Sequence, residues 1–546
     1  LRRTAVAGSL PGRPSARPTI EHDHAVAMFD ASLARRPEAV LVRYFGRDLT
    51  IGEVDASTDA LADALVDLGL APGDRVAVFL QNIPQFLLAM LATWKAGGVV
   101  VPVNPMYRAR ELEHVLADSG AAVLVALESL YDSVVAPATA NVALRAVITT
   151  SELDYLGDGA RPAPLAGVEQ VGVTGTHDLR ALVEAHRGRP RPAVAVDDVA
   201  LLTYTSGTTG PPKGAINTHR AVVFNAQTFR HWMELSTDDV IFGVAPLFHI
   251  TGLVATLATG LLLPAPIVLG YRFHPATSLD LIERYRCTFT VGSITVFIAL
   301  LHEPTAAGRD LSSLTKIWSG GQAIPAATVE EFERRFGTYI HNIYGMTETT
   351  SPSHAVPMGV PAPVDPASGA LSVGVPTYNV IARVVDDDGR DVAPGEIGEI
   401  VMAGPQVVPG YWGRPEETAA AFRDGAIRSG DVGFMDDAGW FYIVDRKKDL
   451  INASGYKVWP REVEDVLYRH PAVREAAVVG VPDEYRGETV KAYVSLRPGA
   501  DVAPDDLIGF CRDQLAAYKY PRTVEVLDEL PKTPSGKILR RTLRGL

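Results

Sequence analysis

Residues 51–126 constrain the fold more than any other stretch of this chain. Apolar residues recur at helical spacing over 54–68, 84–96 and 109–118. Between them lie short, almost continuously apolar runs at 75–80, 99–103 and 122–126. Strands without a polar face, alternating with helices, predict a parallel sheet covered on both sides. Helix 221–233, strand 240–244 and the strand-to-helix run 289–297 extend the same alternation, so the class is α/β. The chain has 546 residues, too many for one ordinary core, which predicts several domains.

From 372 to 444 the pattern changes to short strands and turns. Asp386, Asp387, Asp388 and Gly389 lack the remaining spacing of a calcium loop and predict a hairpin turn in a small antiparallel subdomain. Beyond a charge cluster at 445–449, a helix at 461–469, strands at 474–481 and 488–496 and a helix at 505–515 predict a compact α+β domain. Residues 151–198, rich in proline, glycine and acids, read as peripheral loops. An uncharged run at 250–271 is broken by Gly260, Pro264 and Pro266, and predicts a buried helix and strand instead of a membrane span. Residues 1–20, with four arginines and three prolines, read as a disordered tail.

A net charge of −13 argues against a nucleic-acid partner, because neutralising phosphates needs a basic face. Two distant cysteines, Cys287 and Cys511, form no framework and point to reduced, cytoplasmic surroundings. The composition leaves both a monomer and a homodimer open.

The residues that carry chemistry begin at 204–214, after the apolar run 199–202. Tyr204 is followed by Thr205, Ser206, Gly207, Thr208, Thr209 and Gly210, then two prolines, Lys213 and Gly214. Such residues cannot build a core, but their amides and hydroxyls can converge on an anion, with Lys213 as a point charge. Pro212 stands where the common nucleotide loop G-x-x-x-x-G-K-[ST] needs its second glycine, so the loop is of another type. A second motif runs from His341 through Asn342, Tyr344, Gly345, Met346, Thr347 and Glu348. An aromatic beside a glycine can face a purine, a hydroxyl can reach phosphate and a carboxylate can hold Mg²⁺. A plain strand followed by a helix capped by Thr347 fits the same residues.

The loop resembles the signature phosphate loop of the adenylate-forming superfamily: acyl-CoA synthetases, peptide-synthetase adenylation domains and beetle luciferases. The resemblance runs from about Ile51 to Arg540, with five motifs in family order, and is nearest to fatty-acyl-CoA and 4-coumarate-CoA ligases. It implies a large N-terminal part, 21–444, of two mainly parallel sheets with a small β-barrel. A hinge at 445–448, pivoting on Lys448, and a mobile C-terminal domain at 449–546 follow. It implies ATP, Mg²⁺ and coenzyme A as cofactor and co-substrates, and a carboxylic acid that becomes first an acyl-adenylate and then a thioester.

Residue by residue, the resemblance assigns catalysis to Lys213, Thr347, Glu348 and Lys537, with Glu348 carrying the metal. It assigns nucleotide or CoA contacts to residues 205–210, Gly320, Gly321, Gln322, Asn342, Tyr344, Gly345, Asp431, Arg446, Gly455 and Tyr456. His249, Gly292, Ser293, Trp318 and Met346 would line the acid. No aspartate stands between Val240 and Asp280 to bind an amino-acid ammonium. A medium or long fatty acid and an aryl acid both satisfy the remaining pattern, and a carrier-protein thiol or a luciferase-like oxygenation stays open as the second step.

Overall fold

The structure is a computed structural model that describes residues 19–188, 191–205, 212–366, 369–446, 449–453, 456–483, 487–533 and 536–546. The alternation at 51–126 supplies three strands of a seven-stranded sheet. Its order is His177–Asp178, Ala146–Thr150, Ala121–Leu127, Arg75–Phe79, Val99–Pro102, Val199–Thr205 and Lys213–Thr218. Neighbours are parallel except in the last pair, an antiparallel hairpin. The helix Pro84–Lys95 is buried along its whole length, which explains why its sequence shows no polar stripe. Its one charge, the ammonium of Lys95, lies 2.7 Å from Asp55 and 2.8 Å from Asp59, as a buried cation requires.

The second sheet has nine strands in the order Val375–Pro376, Ser351–Ala355, Ile340–Met346, Lys316–Gly320, Phe289–Gly292, Ile241–Phe242, Ile267–Leu269, Val40–Tyr44 and Arg47–Thr50. The six central strands run parallel, and the three at the edges antiparallel. One continuous apolar cluster unites the two sheets. The uncharged run at 250–271 is a buried π-helical turn, Gly252–Ala258, a short helix, Thr259–Leu262, and the strand Ile267–Leu269. A Cβ on Gly252 would stand 2.1 Å from the carbonyl oxygen of Pro246, so the turn can start there only on glycine.

Residues 381–446 form an antiparallel sheet of five strands, with Asp386, Asp387, Asp388 and Gly389 in the expected turn between Ile381–Val385 and the next strand. Among the described residues no group of three or more His, Cys, Asp or Glu could hold a metal ion. This sheet ends with Phe441–Arg446, and a separate five-stranded sheet begins at Ile451–Ala453, with its own core around Val463, Val478 and Leu507. Two arginines of this C-terminal part cross to the N-terminal part. Arg461 Nη1 donates to the Ile443 carbonyl at 2.7 Å, and Arg497 meets the Glu331 carboxylate with two bonds of 3.1 and 2.9 Å. One expectation is corrected: residues 151–198 are not only loops. Asp178 caps the helix Leu179–Ala185 by accepting from Ala181 N at 2.8 Å, and His177–Asp178 adds an edge strand.

Three histidines in this core stay neutral. Burial lowers His219 and His354 to about 3, and His341 to about 4 against the opposing pull of its bond to the Ile317 carbonyl. His341 shows why: Nδ1 donates to Ile317 O while Nε2 accepts from Gly359 N, and a second proton would face an N–H. The unfolded chain takes up these protons as pH falls below about 6.5, whereas the native state refuses them until about 3 or 4. The stabilisation is therefore complete above pH 6.5 and is lost on acidification, by about 2 kcal/mol per histidine at pH 5. The melting temperature should fall between pH 7.5 and pH 5, and His354→Gln should flatten that dependence. An identical pH dependence in the variant would remove His354 from the account.

Candidate active site

The hairpin Val199–Thr205 and Lys213–Thr218 closes on the pair Thr205 and Lys213. Ser206, Gly207, Thr208, Thr209 and Gly210 lie outside the described residues. The base beneath them is pinned. The Tyr204 hydroxyl donates to Asp118 Oδ2 at 2.7 Å, and Arg414 binds the other oxygen of the same carboxylate at 2.5 Å.

The second motif occupies the strand Ile340–Met346 and one 3₁₀ turn, Thr347–Thr349. The chain reverses at once into Ser351–Ala355, and a Cβ on Gly345 would lie 1.8 Å from Ser351 O. Gly320 is tied in the same way, 2.3 Å from Ile343 O, so both glycines serve backbone approach. The N-cap of the turn is Met346, not Thr347, and its N–H donates to the Thr349 hydroxyl at 3.0 Å. Thr347 instead offers its carbonyl to Asn217 Nδ2 at 3.0 Å.

Tyr344 donates its hydroxyl to Asp431 Oδ2 at 2.7 Å, and Asp431 pairs across the small sheet with Arg446. Tyr344 and Asp431 thus meet from two sheets, with the backbone of Arg446 beside that of Asp431. Asn342 is buried, and its Nδ2 donates to Ser372 O at 3.0 Å. Met346 packs with Tyr344 on the small-sheet cluster of Val373, Met402 and Phe441.

Glu348 is buried, and its Oε1 accepts from the Tyr411 hydroxyl at 2.7 Å. The ammonium of Lys213 stands 4.8 Å above the centre of the same Tyr411 ring. Burial and the neighbouring carboxylate push the Tyr411 phenol well above its ordinary range, so it stays a donor. The sequence reading missed Tyr411. It sits in the turn-rich stretch Gly410, Tyr411, Trp412 and Gly413, where an aromatic residue carries no signal of its own.

Lys537 arrives from the C-terminal part on a turn closed by Thr533 N to Lys537 O at 2.6 Å and Gly536 N to Thr533 O at 2.8 Å. Gly321 has φ +84°, and a Cβ built on it would lie 2.9 Å from Lys537 Cε and 3.4 Å from Nζ. A Cβ on Gly536 would lie 2.5 Å from Thr295 Oγ1 and 2.7 Å from Ser293 Oγ. Ser293 therefore supports the incoming turn. Gln322 follows in the Gly321 turn, partly exposed. His249 is lowered to about 3 by burial first and then by the positive charge of Lys537; its Nδ1 accepts from Thr251 N at 3.3 Å. Gly292 packs between Val244 and Phe297. Apart from Lys537, the groups named around His249 and Gly292 are an uncharged imidazole and apolar side chains.

Trp318 is corrected. Its ring is fully buried, stacked on His341 at 4.6 Å, and its Nε1 donates to Val356 O at 3.1 Å. Every polar demand of this side chain is met in the core, so it does not line a substrate site. Lys448 and Gly455 lie outside the described residues, and Tyr456 is described only as the start of the strand Tyr456–Val458.

A hairpin closing on Thr205 and Lys213, a tyrosine bonded to an aspartate, and a lysine brought to Gly321 by the C-terminal part are the described elements of the candidate site. The chain belongs to the AMP-binding enzyme family, whose model matches residues 29–412; the model of the AMP-binding enzyme C-terminal domain matches residues 462–537. It is 38% identical over 525 residues to a long-chain-fatty-acid–CoA ligase of Bacillus subtilis (strain 168), covering 94% of this chain and 92% of that one. It is also 38% identical over 511 residues to a feruloyl-CoA synthase of an Amycolatopsis species, covering 93% and 96%. The crystal structure of the anthranilate CoA ligase AuaEII in complex with anthranoyl-AMP superposes with a TM-score of 0.86 at 26% identity, covering 98% of each chain.

Gly321→Ala tests the approach of Lys537. The left-handed backbone costs a side chain about 1 kcal/mol, and the new methyl displaces the lysine tip. Pyrophosphate release should fall roughly tenfold or more, while CoA attack on supplied acyl-adenylate stays within about twofold of wild type. Equal losses in both half-reactions would detach Gly321 from Lys537.

Proposed function

We propose that this chain activates a carboxylic acid with ATP, giving acyl-adenylate and pyrophosphate, and then transfers the acyl group to CoA, giving acyl-CoA and AMP. The observation that carries this reading is the convergence at Gly321: Lys537 meets that turn from the C-terminal domain, beside a neutral His249. An ammonium at that place can attract the acid's carboxylate and the α-phosphate together, and its charge stabilises the negative charge that builds as they react. His249, uncharged, shapes the acid's position without taking a proton from it. Tyr344 and Asp431 orient the nucleoside, and Lys213 draws the outer phosphates.

Mg²⁺ fits Glu348. The carboxylate is a hard oxygen donor, buried and committed on one oxygen to a neutral hydroxyl instead of a cation. A single protein carboxylate suits an ion that takes its other ligands from phosphates and water. Bound there, Mg²⁺ would offset phosphate charge.

The acid we propose is a medium or long fatty acid or an aryl acid, because Val244, Phe297 and neutral His249 offer it no charge. The relatives named for a fatty acid and for feruloyl-CoA support both branches. CoA is favoured over a carrier protein by the same relatives. We also place the hinge at 445–448, which takes the last two residues of the strand Phe441–Arg446 and the two that follow, with Lys448 as pivot and Gly455 and Tyr456 on the CoA-facing side after rotation.

Pyrophosphate release over a panel of acids tests the substrate class. Affinity should rise by about 0.8 kcal/mol per added methylene until the pocket is full, and free amino acids should be inactive. An amino acid as good as the best fatty or aryl acid would sink the assignment. Lys537→Ala should lower adenylate formation by a hundredfold or more, the order expected for one preorganised charge, yet spare CoA attack on supplied acyl-adenylate. Loss of that second step alone would reverse the role given to Lys537.

A further inference from the structure

We infer that Tyr411 is a positioning residue for adenylation, whose hydroxyl sets the Glu348 carboxylate while its ring face seats the Lys213 ammonium. The inference rests on the proposed roles of Glu348 and Lys213 and adds the residue that fixes both.

The geometry around Tyr411 is built from backbone. Trp412 N donates to Gly214 O at 2.8 Å and Ile216 N to Gly410 O at 3.1 Å, and Tyr411 itself bridges to Ala215. These bonds fasten residues 410–412 to the strand that starts at Lys213, so ring and ammonium are fixed by one ladder. On the other side Val408 N donates to Glu348 O at 2.9 Å, which fastens the same segment to the 3₁₀ turn. Asn217 closes the figure by donating to Thr347 O and to Thr350 Oγ1, both at 3.0 Å. Tyr411 N donates to Thr418 Oγ1 at 3.0 Å, and its ring meets Phe422 edge-on at 5.6 Å.

The side chain then has two separable functions. The hydroxyl holds one carboxylate oxygen and so aims the other, and such partners of metal-binding carboxylates matter strongly for metal affinity. The ring face attracts the ammonium without forming an ion pair, so Lys213 is held at the start of its strand with its charge unspent. A tyrosine that only filled space would do neither.

Two variants separate the functions. Tyr411→Phe removes the hydroxyl and keeps the ring. It should weaken Mn²⁺ binding in the enzyme–ATP complex, read by electron paramagnetic resonance, roughly tenfold, while calorimetric binding of metal-free ATP stays as in wild type. Tyr411→Leu should show the same metal loss and, in addition, bind metal-free ATP roughly threefold to tenfold more weakly. Wild-type Mn²⁺ binding in Tyr411→Phe overturns the proposal, as does equal metal-free ATP binding in the two variants. So does a lowered melting temperature with both affinities intact. Glu348→Gln serves as the control: if it too leaves Mn²⁺ binding unchanged, the metal role of Glu348 is what has failed.

Discussion

A site that handles a triphosphate must keep a carboxylate and an ammonium close to each other without letting them neutralise. A direct ion pair would hand each charge to the other before any nucleotide arrived. Here Glu348 and Lys213 both lean on Tyr411, and among the described residues no ion pair joins them. The hydroxyl is a neutral donor and the ring a neutral acceptor of positive charge, so both ions keep most of their field. The remainder of the N-terminal architecture serves this arrangement. The seven-stranded sheet presents Lys213 at its edge hairpin, the nine-stranded sheet ends a parallel strand just before Glu348, and residues 408–412 join the two.

Much of the fold was legible because it follows from patterns with one physical cause. The helices Ile51–Asp67, Pro84–Lys95 and Ala109–Ser119 and the strands between them stand where hydrophobic spacing put them. The helix Leu179–Ala185 was hidden by the proline- and glycine-rich segment around it, although Asp178 before Leu179 is a cap signal that local reading can find. Trp318 was misjudged for a different reason. Strand position says that a residue stands near a site, but not on which side its ring falls, and here the core took it.

The site divides along the same line. Glu348, Lys213, Tyr344 and Asp431 stood out by order along the chain. Tyr411 did not, because its role exists only once three separate segments are hydrogen-bonded together. Pairwise geometry of that kind has no counterpart in linear spacing. Gly320 and Gly345 show the converse: each lies in a chemical motif, yet the backbone crossing it permits is enough to require glycine.

Gly536 and Gly321 lie at the seam where the two parts of the protein touch beside the site, Gly536 against Ser293 and Thr295 and Gly321 under the tip of Lys537. Away from the arginines that bridge the two parts, these two glycines contribute no side chain that could interlock. At these two positions the turn that carries Lys537 meets backbone and small hydroxyls instead of large side chains. The facing surface there is backbone and the two small hydroxyls of Ser293 and Thr295, which water can cover at little cost. Such a joint trades grip for reversibility, and reversibility is what a part must have if it is to be set down and lifted in every catalytic cycle.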